Sequence, residues 1–203
     1  MKKYEVEVYI ASTGQAHDID YVPSVLRKEL VRIKDKRLRL QKQCLYNLIF
    51  SVFYNRFGKR LNDKSITKDK SGKPLIKGYY ISCTHSKDLI CVAVSENTNI
   101  GVDIEAMITK ITLEKLHSKI CHRNEAKFDL NLINVFYLWT RKEAIYKMIS
   151  ATSKLVPKKI DTTKYLTLST VVDYGRYTYA LSVAAKKNTC IHINMLDTKI
   201  KIK

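Results

Sequence analysis

The stretch YYISCTHSKDLICVAVSENTNIGVDIE, residues 79–105, decides the fold class of this chain. Its β-branched and aromatic residues concentrate in three short segments, at 79–83, 89–95 and 100–104. Residues 85–88 and 96–99, which separate these segments, have the composition of turns. We therefore predict three successive strands that are linked by hairpins.

Helical patterns lie on both sides of these strands. Before them, residues 23–57 carry apolar residues at helical intervals, and Gly58 is well placed to end the last helix. After them, residues 113–120 and 132–149 have helical patterns, and the longer one carries an apolar stripe. Helices are therefore expected in both halves of the chain.

The remaining segments complete a repeated order of helices and strands. Residues 3–11 alternate apolar with polar side chains, which predicts an opening strand, and the final forty residues contain three more strand patterns. Residues 58–78 are predicted to form an irregular basic loop. Helices and then strands thus occur twice, which predicts an α+β fold of two similar halves, 1–100 and 101–203.

Composition indicates a globular protein with an anionic partner. The 203 residues are 45% hydrophobic, and Lys plus Arg outnumber Asp plus Glu by 37 to 19, a net charge of +18. Residues 27–70 alone hold 14 basic and 4 acidic side chains. Such a charge favours encounter with nucleic acids, acidic proteins or phosphorylated small molecules, without choosing among them.

The sequence indicates neither export nor insertion into a membrane. No run approaches the roughly 18 apolar residues of a membrane span, and the opening MKKYEVEVYI lacks the apolar core of a signal peptide. The five cysteines show no CxxC spacing and no zinc pattern. We therefore expect a cytoplasmic protein with reduced thiols.

Two carboxylates at the end of a predicted strand form a candidate metal site. Asp103 and Glu105 are two residues apart in IGVDIE, so they share one face of the strand and can both reach one hard cation. The structural alternative is a solvated strand end.

Further candidate residues are ambiguous when they are taken singly. Glu143 and Lys147, four apart on a predicted helix, could equally form an ordinary surface pair. His85 and its neighbour Thr84 could bind a phosphate or belong to a polar turn. Lys73, in the turn sequence GKP, could place an ammonium group beside an anion or have no such role.

Taken in order along the chain, these motifs form a recognisable series. GKP at 72–74 is followed by THS at 84–86, GVDIE at 101–105 and WTRKEAIYK at 139–147. The last of these fits the pattern W-[ST]-x-K-E-x-x-x-K at every specified position. In these motifs the chain resembles the 4′-phosphopantetheinyl transferases of the surfactin-synthetase-activating type. Glu125, which precedes the signature helix, adds support.

The resemblance implies both a fold and a reaction. The fold would be an α+β pseudodimer, in which two similar α/β halves pack within one chain. The reaction would transfer the 4′-phosphopantetheine group of coenzyme A to a serine of an apo acyl or peptidyl carrier protein, releasing adenosine 3′,5′-bisphosphate. The implied partners are coenzyme A and a carrier with an acidic surface. A monomer is expected, because the pseudodimer is internal.

The resemblance also assigns roles to residues. Magnesium would be held by three carboxylates, those of Asp103, Glu105 and Glu143. Glu143 and Lys147 would be catalytic, Glu143 by accepting the serine proton and Lys147 by stabilising phosphate charge. Coenzyme A would be bound by four side chains, those of Lys73, Thr84, His85 and Lys147.

The chain departs from the family pattern at two places. Residues 82–86 are SCTHS where the family commonly has N-x-S-H-S, and residues 150–154 lack the glycines of the family's loop after the signature helix. No residues of the N-terminal half can be matched to those that hold the 3′-phosphate of the coenzyme. The carrier protein and its pathway are also not specified by the sequence.

Two other functions fit part of the sequence. A non-enzymatic nucleic-acid-binding protein would explain the basic run and the thirteen tyrosines, but not the carboxylates. A non-catalytic member of the same family, serving as an interaction module, would explain the fold but not the complete set of acids. The transferase is the interpretation that uses all the motifs, and it predicts neither nucleic-acid nor membrane binding.

Overall fold

The computed structural model describes residues 4–14, 23–69, 72–125, 129–149 and 156–203. Within these ranges the chain forms helices and strands in alternation, which confirms the predicted α+β class. The helices are α1 (Ser24–Arg32), α2 (Lys36–Phe57), α3 (Leu113–Ile120) and α4 (Leu132–Ile149). The strands are β1 (Tyr4–Ser12), β2 (Ile66–Lys68), β3 (Pro74–Ile76), β4 (Tyr80–Ser86), β5 (Leu89–Ser95), β6 (Gly101–Ala106), β7 (Leu166–Tyr174), β8 (Tyr177–Ala185), β9 (Thr189–Met195) and β10 (Lys201–Ile202).

Two four-stranded sheets form the centre of the molecule. The first sheet has the strand order β4-β5-β1-β9, and the second has the order β10-β7-β8-β6. Strands β2 and β3 form a separate short hairpin. Although β9 follows β8 in the chain, it lies in the first sheet, parallel to β1.

The molecule is layered as helix, sheet, sheet and helix. Apolar residues of α2, such as Ile49 and Phe53, pack against one face of the first sheet. The other face of that sheet packs against the second sheet, through residues such as Ile10 and Val102. Helix α4 covers the outer face of the second sheet, where Ala144 and Ile145 are fully buried. None of the described helices combines the length and the apolar character that a membrane span needs.

Helix boundaries follow the sequence closely. Helix α2 ends at Gly58, whose φ of 62° is in the left-handed region and whose N–H bonds back to the last turn. Helices α3 and α4 have the predicted bounds. Residues 23–57, for which the pattern allows one helix or two, form two helices separated at residues 33–35, and Asp35 caps α2 by accepting from the N–H of Leu38.

Three details of the strand prediction were wrong. Strand β6 does not pair with β5, because both edges of β5 are already occupied, by β4 and by β1, so β6 pairs with β8 instead. The basic segment 58–78 is not wholly irregular, since Ile66 and Ile76 pair across the β2–β3 hairpin and are buried. Strand β4 continues through His85 to Ser86, so the histidine lies in a strand rather than in a turn.

Candidate functional site

The candidate site lies where the outermost strands of the two sheets meet. Strand β4 ends the order of the first sheet and β6 ends that of the second, and three hydroxyl side chains of β4 face β6. Ser82 Oγ accepts from the N–H of Val102 at 3.0 Å, and Ser86 Oγ accepts from the N–H of Ala106 at 3.0 Å. These bonds fix β6 against β4.

The same row of hydroxyls also holds the two carboxylates of β6. Thr84 Oγ1 donates to Asp103 Oδ1 over 3.0 Å, and Ser86 Oγ donates to Glu105 Oε2 over 2.8 Å. The alternation of side chains along a strand places these hydroxyls on one face of β4. Thr84 is buried, and its hydroxyl donates to Asp103. In the fold, Thr84 therefore holds the Asp103 carboxylate in place.

Glycine brings helix α4 close to β6. A Cβ atom on Gly101 would stand 1.8 Å from the carbonyl oxygen of Ala144 and 2.8 Å from the nitrogen of Met148. Only a residue without a side chain allows this approach. Because Glu143 and Lys147 flank this contact on α4, Gly101 sets how near they come to the carboxylates of β6.

Two lysines complete the polar network. Lys147 Nζ lies 2.7 Å from Asp103 Oδ1 and donates to the carbonyl oxygen of Val102 over 3.2 Å. Lys73 Nζ donates to the carbonyl oxygen of Lys147 over 3.2 Å. Lys73, Thr84, Asp103 and Lys147, which come from distant parts of the sequence, are therefore linked by direct hydrogen bonds.

The three carboxylates interact electrostatically with one another. Burial and the charge of Asp103 raise the pKa of Glu105 to about 7; Glu143 adds to this shift, while Ser86 and Lys147 oppose it. Burial and the charge of Asp103 also raise the pKa of Glu143, with Lys147 in opposition. Three carboxylates therefore lie near one another in a partly buried site.

The carboxylates suit a hard cation in their chemistry, although they do not form a closed ligand shell. Within the described ranges, no group of three or more His, Cys, Asp or Glu side chains is already arranged around a metal position. Asp103 Oδ2, however, is buried and has no hydrogen-bond partner among the described residues. An orphaned carboxylate oxygen beside two further acids fits Mg²⁺, which binds oxygen ligands and keeps several waters.

His85 lies on the opposite face of β4 from Thr84. It shares that face with Ile81 and Cys83, which pack on the side of α2. Burial lowers the pKa of His85, and the positive charges of Lys42 and Lys147 lower it further, while Asp103 opposes them. The structure thus brings Thr84 to the carboxylates and directs His85 towards the lysines.

Two cations near this face were not selected from the sequence. Four lysines, Lys147, Lys73, Lys42 and Lys68, act electrostatically on the thiol of Cys83, although burial still raises its pKa to about 12. The basic run 27–70 includes Lys42 and Lys68, but its charge alone does not show which members face the site. Their position depends on how α2 and the β2–β3 hairpin pack, which the local pattern does not encode.

A buried ion pair supports α4 behind the site. Lys142 Nζ lies 2.7 Å from Glu125 Oε2, and both side chains are fully buried. Glu125 also accepts from the N–H groups of His122 and Thr162, at 2.8 and 2.7 Å. The Lys142 and Glu125 of the sequence motifs therefore anchor the helix that carries Glu143 and Lys147, and they do not face the carboxylates.

One sequence feature lies outside the described residues, namely the segment 150–154 that lacks the expected glycines. The other predicted site residues are described. The structure brings together Lys73 before β3, Thr84 on β4, Asp103 and Glu105 on β6, and Glu143 and Lys147 on α4, whereas His85 lies on the opposite face of β4. No family model matches this chain, and no curated protein does either.

Proposed function

We propose that this chain is a magnesium-dependent 4′-phosphopantetheinyl transferase, which transfers the 4′-phosphopantetheine group of coenzyme A to a serine of an apo carrier protein. One observation carries the proposal. Asp103 and Glu105 on β6 meet Glu143 and Lys147 on α4, and these residues come from the two motifs on which the sequence resemblance mainly rests.

The strand order supports the proposal of an internal pseudodimer. In the first sheet β4, β5 and β1 are neighbours in that order, and in the second sheet β7, β8 and β6 are neighbours in the same arrangement. In each case the first strand in sequence is followed by helices and then by an antiparallel hairpin. We therefore propose that residues 1–100 and 101–203 are two similar halves with the site between them.

Magnesium would be held by Asp103, Glu105 and Glu143. When it is bound, the ion would neutralise charge on the diphosphate of coenzyme A, which is what a phosphoryl-transfer reaction chiefly requires. Asp103 is held in place for this role by Thr84 and Lys147, and Glu105 by Ser86. These hydrogen bonds orient the carboxylates before any ligand arrives.

Glu143 is the best placed of the three acids to accept the serine proton. It forms no hydrogen bond or ion pair with any other described residue, whereas Asp103 and Glu105 are each tied to β4. In the metal-free protein, burial and the charge of Asp103 raise the pKa of Glu143, which strengthens it as a base. The proton of the attacking hydroxyl would pass to the Glu143 carboxylate, and the serine oxygen would then bond to phosphorus as the adenosine bisphosphate leaves.

Lys147 and Lys73 supply positive charge for the phosphates. The side chain of Lys147 is 27% exposed, so it can contact a ligand while its bond to Asp103 holds it in place. Lys73 is anchored to the backbone of α4 through the carbonyl of Lys147. The two ammonium groups are thus positioned to stabilise charge on the diphosphate as the bond to the leaving group breaks.

The test is a direct assay for transfer. The purified chain is mixed with Mg²⁺, coenzyme A and a panel of apo carrier proteins, and intact-mass spectrometry is used to find a phosphopantetheine adduct. We expect modification of at least one carrier and its loss in Asp103→Asn, while the exposed control Asp129→Asn remains active. No adduct on any carrier would contradict the proposal.

A parallel measurement addresses the nucleic-acid alternative. Fluorescence anisotropy with labelled RNA and DNA would show binding with a steep salt dependence if the basic run 27–70 served that purpose. That alternative also predicts that Asp103→Asn leaves the affinity unchanged, since the carboxylates would have no role. Tight binding with that profile, together with no carrier modification, would establish the alternative.

A further inference from the structure

A chain of hydrogen bonds joins α4 to the second sheet beside the candidate site. Arg141 Nε donates to Ser169 Oγ on β7 over 2.8 Å, and Ser169 Oγ lies 2.8 Å from Ser182 Oγ on β8. Ser182 Oγ lies 2.7 Å from Thr140 Oγ1 on α4, and Thr140 Oγ1 donates to the carbonyl oxygen of Phe136 over 2.9 Å. Thr140 and Ser182 are fully buried, so water does not compete for these bonds.

The two ends of this chain fix the direction of every bond in it. A carbonyl oxygen only accepts, so the single hydrogen of Thr140 is used on Phe136, and Thr140 must accept from Ser182. Because the hydrogen of Ser182 is then used, Ser182 accepts from Ser169, which itself accepts from Arg141. A guanidinium only donates, which agrees with this direction. The Ser182 hydroxyl therefore directs its hydrogen at α4.

Ser182 is also the cross-strand neighbour of Asp103. The two residues pair in the register of β6 and β8, so their side chains share one face of the sheet, with Cβ atoms about 4.5–5.5 Å apart. At this separation, a rotation about χ1 can bring a serine hydroxyl to a carboxylate oxygen. Asp103 Oδ2 nevertheless has no hydrogen-bond partner among the described residues, although it is buried. The hydrogen of its neighbour is committed to Thr140 instead.

We infer that Thr140 is a positioning residue, which holds the hydrogen of Ser182 away from Asp103 and so keeps Oδ2 free for a cation. This inference rests on the magnesium site of the proposed function, but not on the transfer reaction. Thr140 needs no contact with the ion, since it acts through Ser182. When the acceptor on Thr140 is lost, the Ser182 hydroxyl turns to Oδ2, and a cation must then displace that hydrogen bond.

A purely structural role for Thr140 makes a different prediction. Its bond to Ser182 also joins α4 to β8, and loss of this bond would loosen the helix that carries Glu143 and Lys147. In that case, removal of the Ser182 hydroxyl as well would leave cation binding weak or weaken it further. Under our inference, the same second substitution removes the competing hydrogen and restores binding.

The experiment measures cation binding without coenzyme or carrier. Mn²⁺ is the probe, because it shares the preference of Mg²⁺ for oxygen ligands and its free ion is counted by electron paramagnetic resonance. Dissociation constants are measured for the unaltered chain, Thr140→Val, Thr140→Ser, Ser182→Ala and the double variant Thr140→Val/Ser182→Ala. The control Thr67→Val makes the same change at an exposed position on β2. Asp103→Asn shows which part of the binding belongs to this site, and circular dichroism checks that each variant folds.

We expect Thr140→Val to weaken Mn²⁺ binding by about tenfold or more, which is the scale of one hydrogen bond to a charged group. Thr140→Ser keeps an acceptor, and Ser182→Ala adds no competing hydrogen, so both should stay within about threefold of the unaltered chain, as should Thr67→Val. The double variant should recover to within about threefold as well. A smaller loss in Thr140→Val, weak binding by Thr140→Ser, or a double variant that stays weaker than this would overturn the inference.

The outcomes separate this inference from the proposed function. If Thr140→Val fails to fold, Thr140→Ala replaces it, alone and with Ser182→Ala, because alanine also lacks the acceptor and suits a helix. Carrier modification by the unaltered chain, without the expected effect of Thr140 on Mn²⁺, would overturn the inference and leave the transferase standing. Mn²⁺ binding no tighter than that of Asp103→Asn would also overturn the inference, and absence of carrier modification as well would overturn the proposed function.

Discussion

At the scale of single residues, the three acids differ in their surroundings more than in their chemistry. Asp103 is buried and bonded to Thr84 and Lys147, Glu105 is bonded to Ser86, and Glu143 lacks a hydrogen-bond partner among the described residues. Asp103 and Glu105 are therefore held in fixed positions, and the Glu143 carboxylate is available to accept a proton. This difference makes their substitutions distinguishable.

Substitution of Glu143 by Gln should reduce turnover far more than coenzyme binding. Removing a general base usually costs about 10²–10⁴-fold in rate. We expect a loss in kcat of about that size at saturating Mg²⁺, with the dissociation constant for coenzyme A changed by less than about threefold. Exposed Glu96→Gln serves as the control, and unchanged turnover in Glu143→Gln would exclude its role as base.

Glu105 should make the stability of the metal-free protein depend on pH. Its pKa is about 7 in the fold against 4.5 for an ordinary glutamate, so the fold favours the protonated form. This contribution is fully present below pH 4.5 and is lost as the pH rises through 7, by up to about 3 kcal/mol.

The measurement is urea unfolding at pH 5 and pH 8 with and without Mg²⁺. We expect Glu105→Gln to be more stable than the unaltered chain at pH 8 without metal, with the difference shrinking at pH 5. Magnesium should stabilise the unaltered chain more than the variant. Equal curves for both proteins at the two pH values would show that Glu105 is not buried beside other acids.

At the scale of secondary-structure elements, the contact between β6 and α4 determines whether the site exists. Gly101 permits the helix to lie against the strand, and the buried pair of Glu125 and Lys142 secures the helix from behind. Neither feature touches the carboxylates directly. Substitutions at both features can therefore test structural support without altering a carboxylate of the site.

Gly101→Ala should force α4 away from β6. The added Cβ would overlap the backbone of Ala144, and overpacking of this kind typically costs about 1–3 kcal/mol or more. We expect a lower free energy of unfolding and weaker Mg²⁺ binding by the folded fraction. Gly14→Ala is the control, because a Cβ there would come no nearer than 3.9 Å to Ser12 Oγ; similar effects at both positions would contradict the close approach.

The pair of Glu125 and Lys142 should show strong coupling in a double-mutant cycle. Lys142→Met alone leaves a buried carboxylate without its cation, at a cost of about 3–5 kcal/mol. Lys142→Met combined with Glu125→Gln removes both charges, and the amide oxygen of Gln can still accept one backbone N–H. We expect the double variant to unfold less readily than Lys142→Met in urea, and additive costs would mean that the pair is not desolvated.

At the scale of the whole molecule, the net charge of +18 should accelerate encounter with an acidic carrier. We expect kcat/KM for the carrier to fall as NaCl rises from about 50 to 500 mM, because screening shortens the reach of the field. The value of kcat should change much less. A kcat/KM that does not respond to salt would show that the charge has no part in carrier binding.

The sequence predicted local features well and long-range pairings poorly. The C-terminal end of α2 and both ends of α4 could be predicted because Gly58 and the apolar periodicity act within a few residues. The sequence placed Asp103, Glu105 and Glu143 on a strand and a helix, but the support from Thr84 and Ser86 depends on the meeting of two sheets. The pairing of Glu29 with Lys68 joins segments that only the packed fold brings together.

The parallel pairing of β1 with β9 has a consequence for biosynthesis. Along one edge of β1, seven residues, from Tyr4 to Ile10, pair with Thr189–Met195. During synthesis, the backbone groups on one edge of β1 therefore lack their partners while nearly 180 further residues are made. Until then the nascent chain exposes an unpaired strand edge, which can pair with other chains. The first sheet is thus completed only after residues 189–195 have been made, and slow translation or termination before them would favour aggregation over folding.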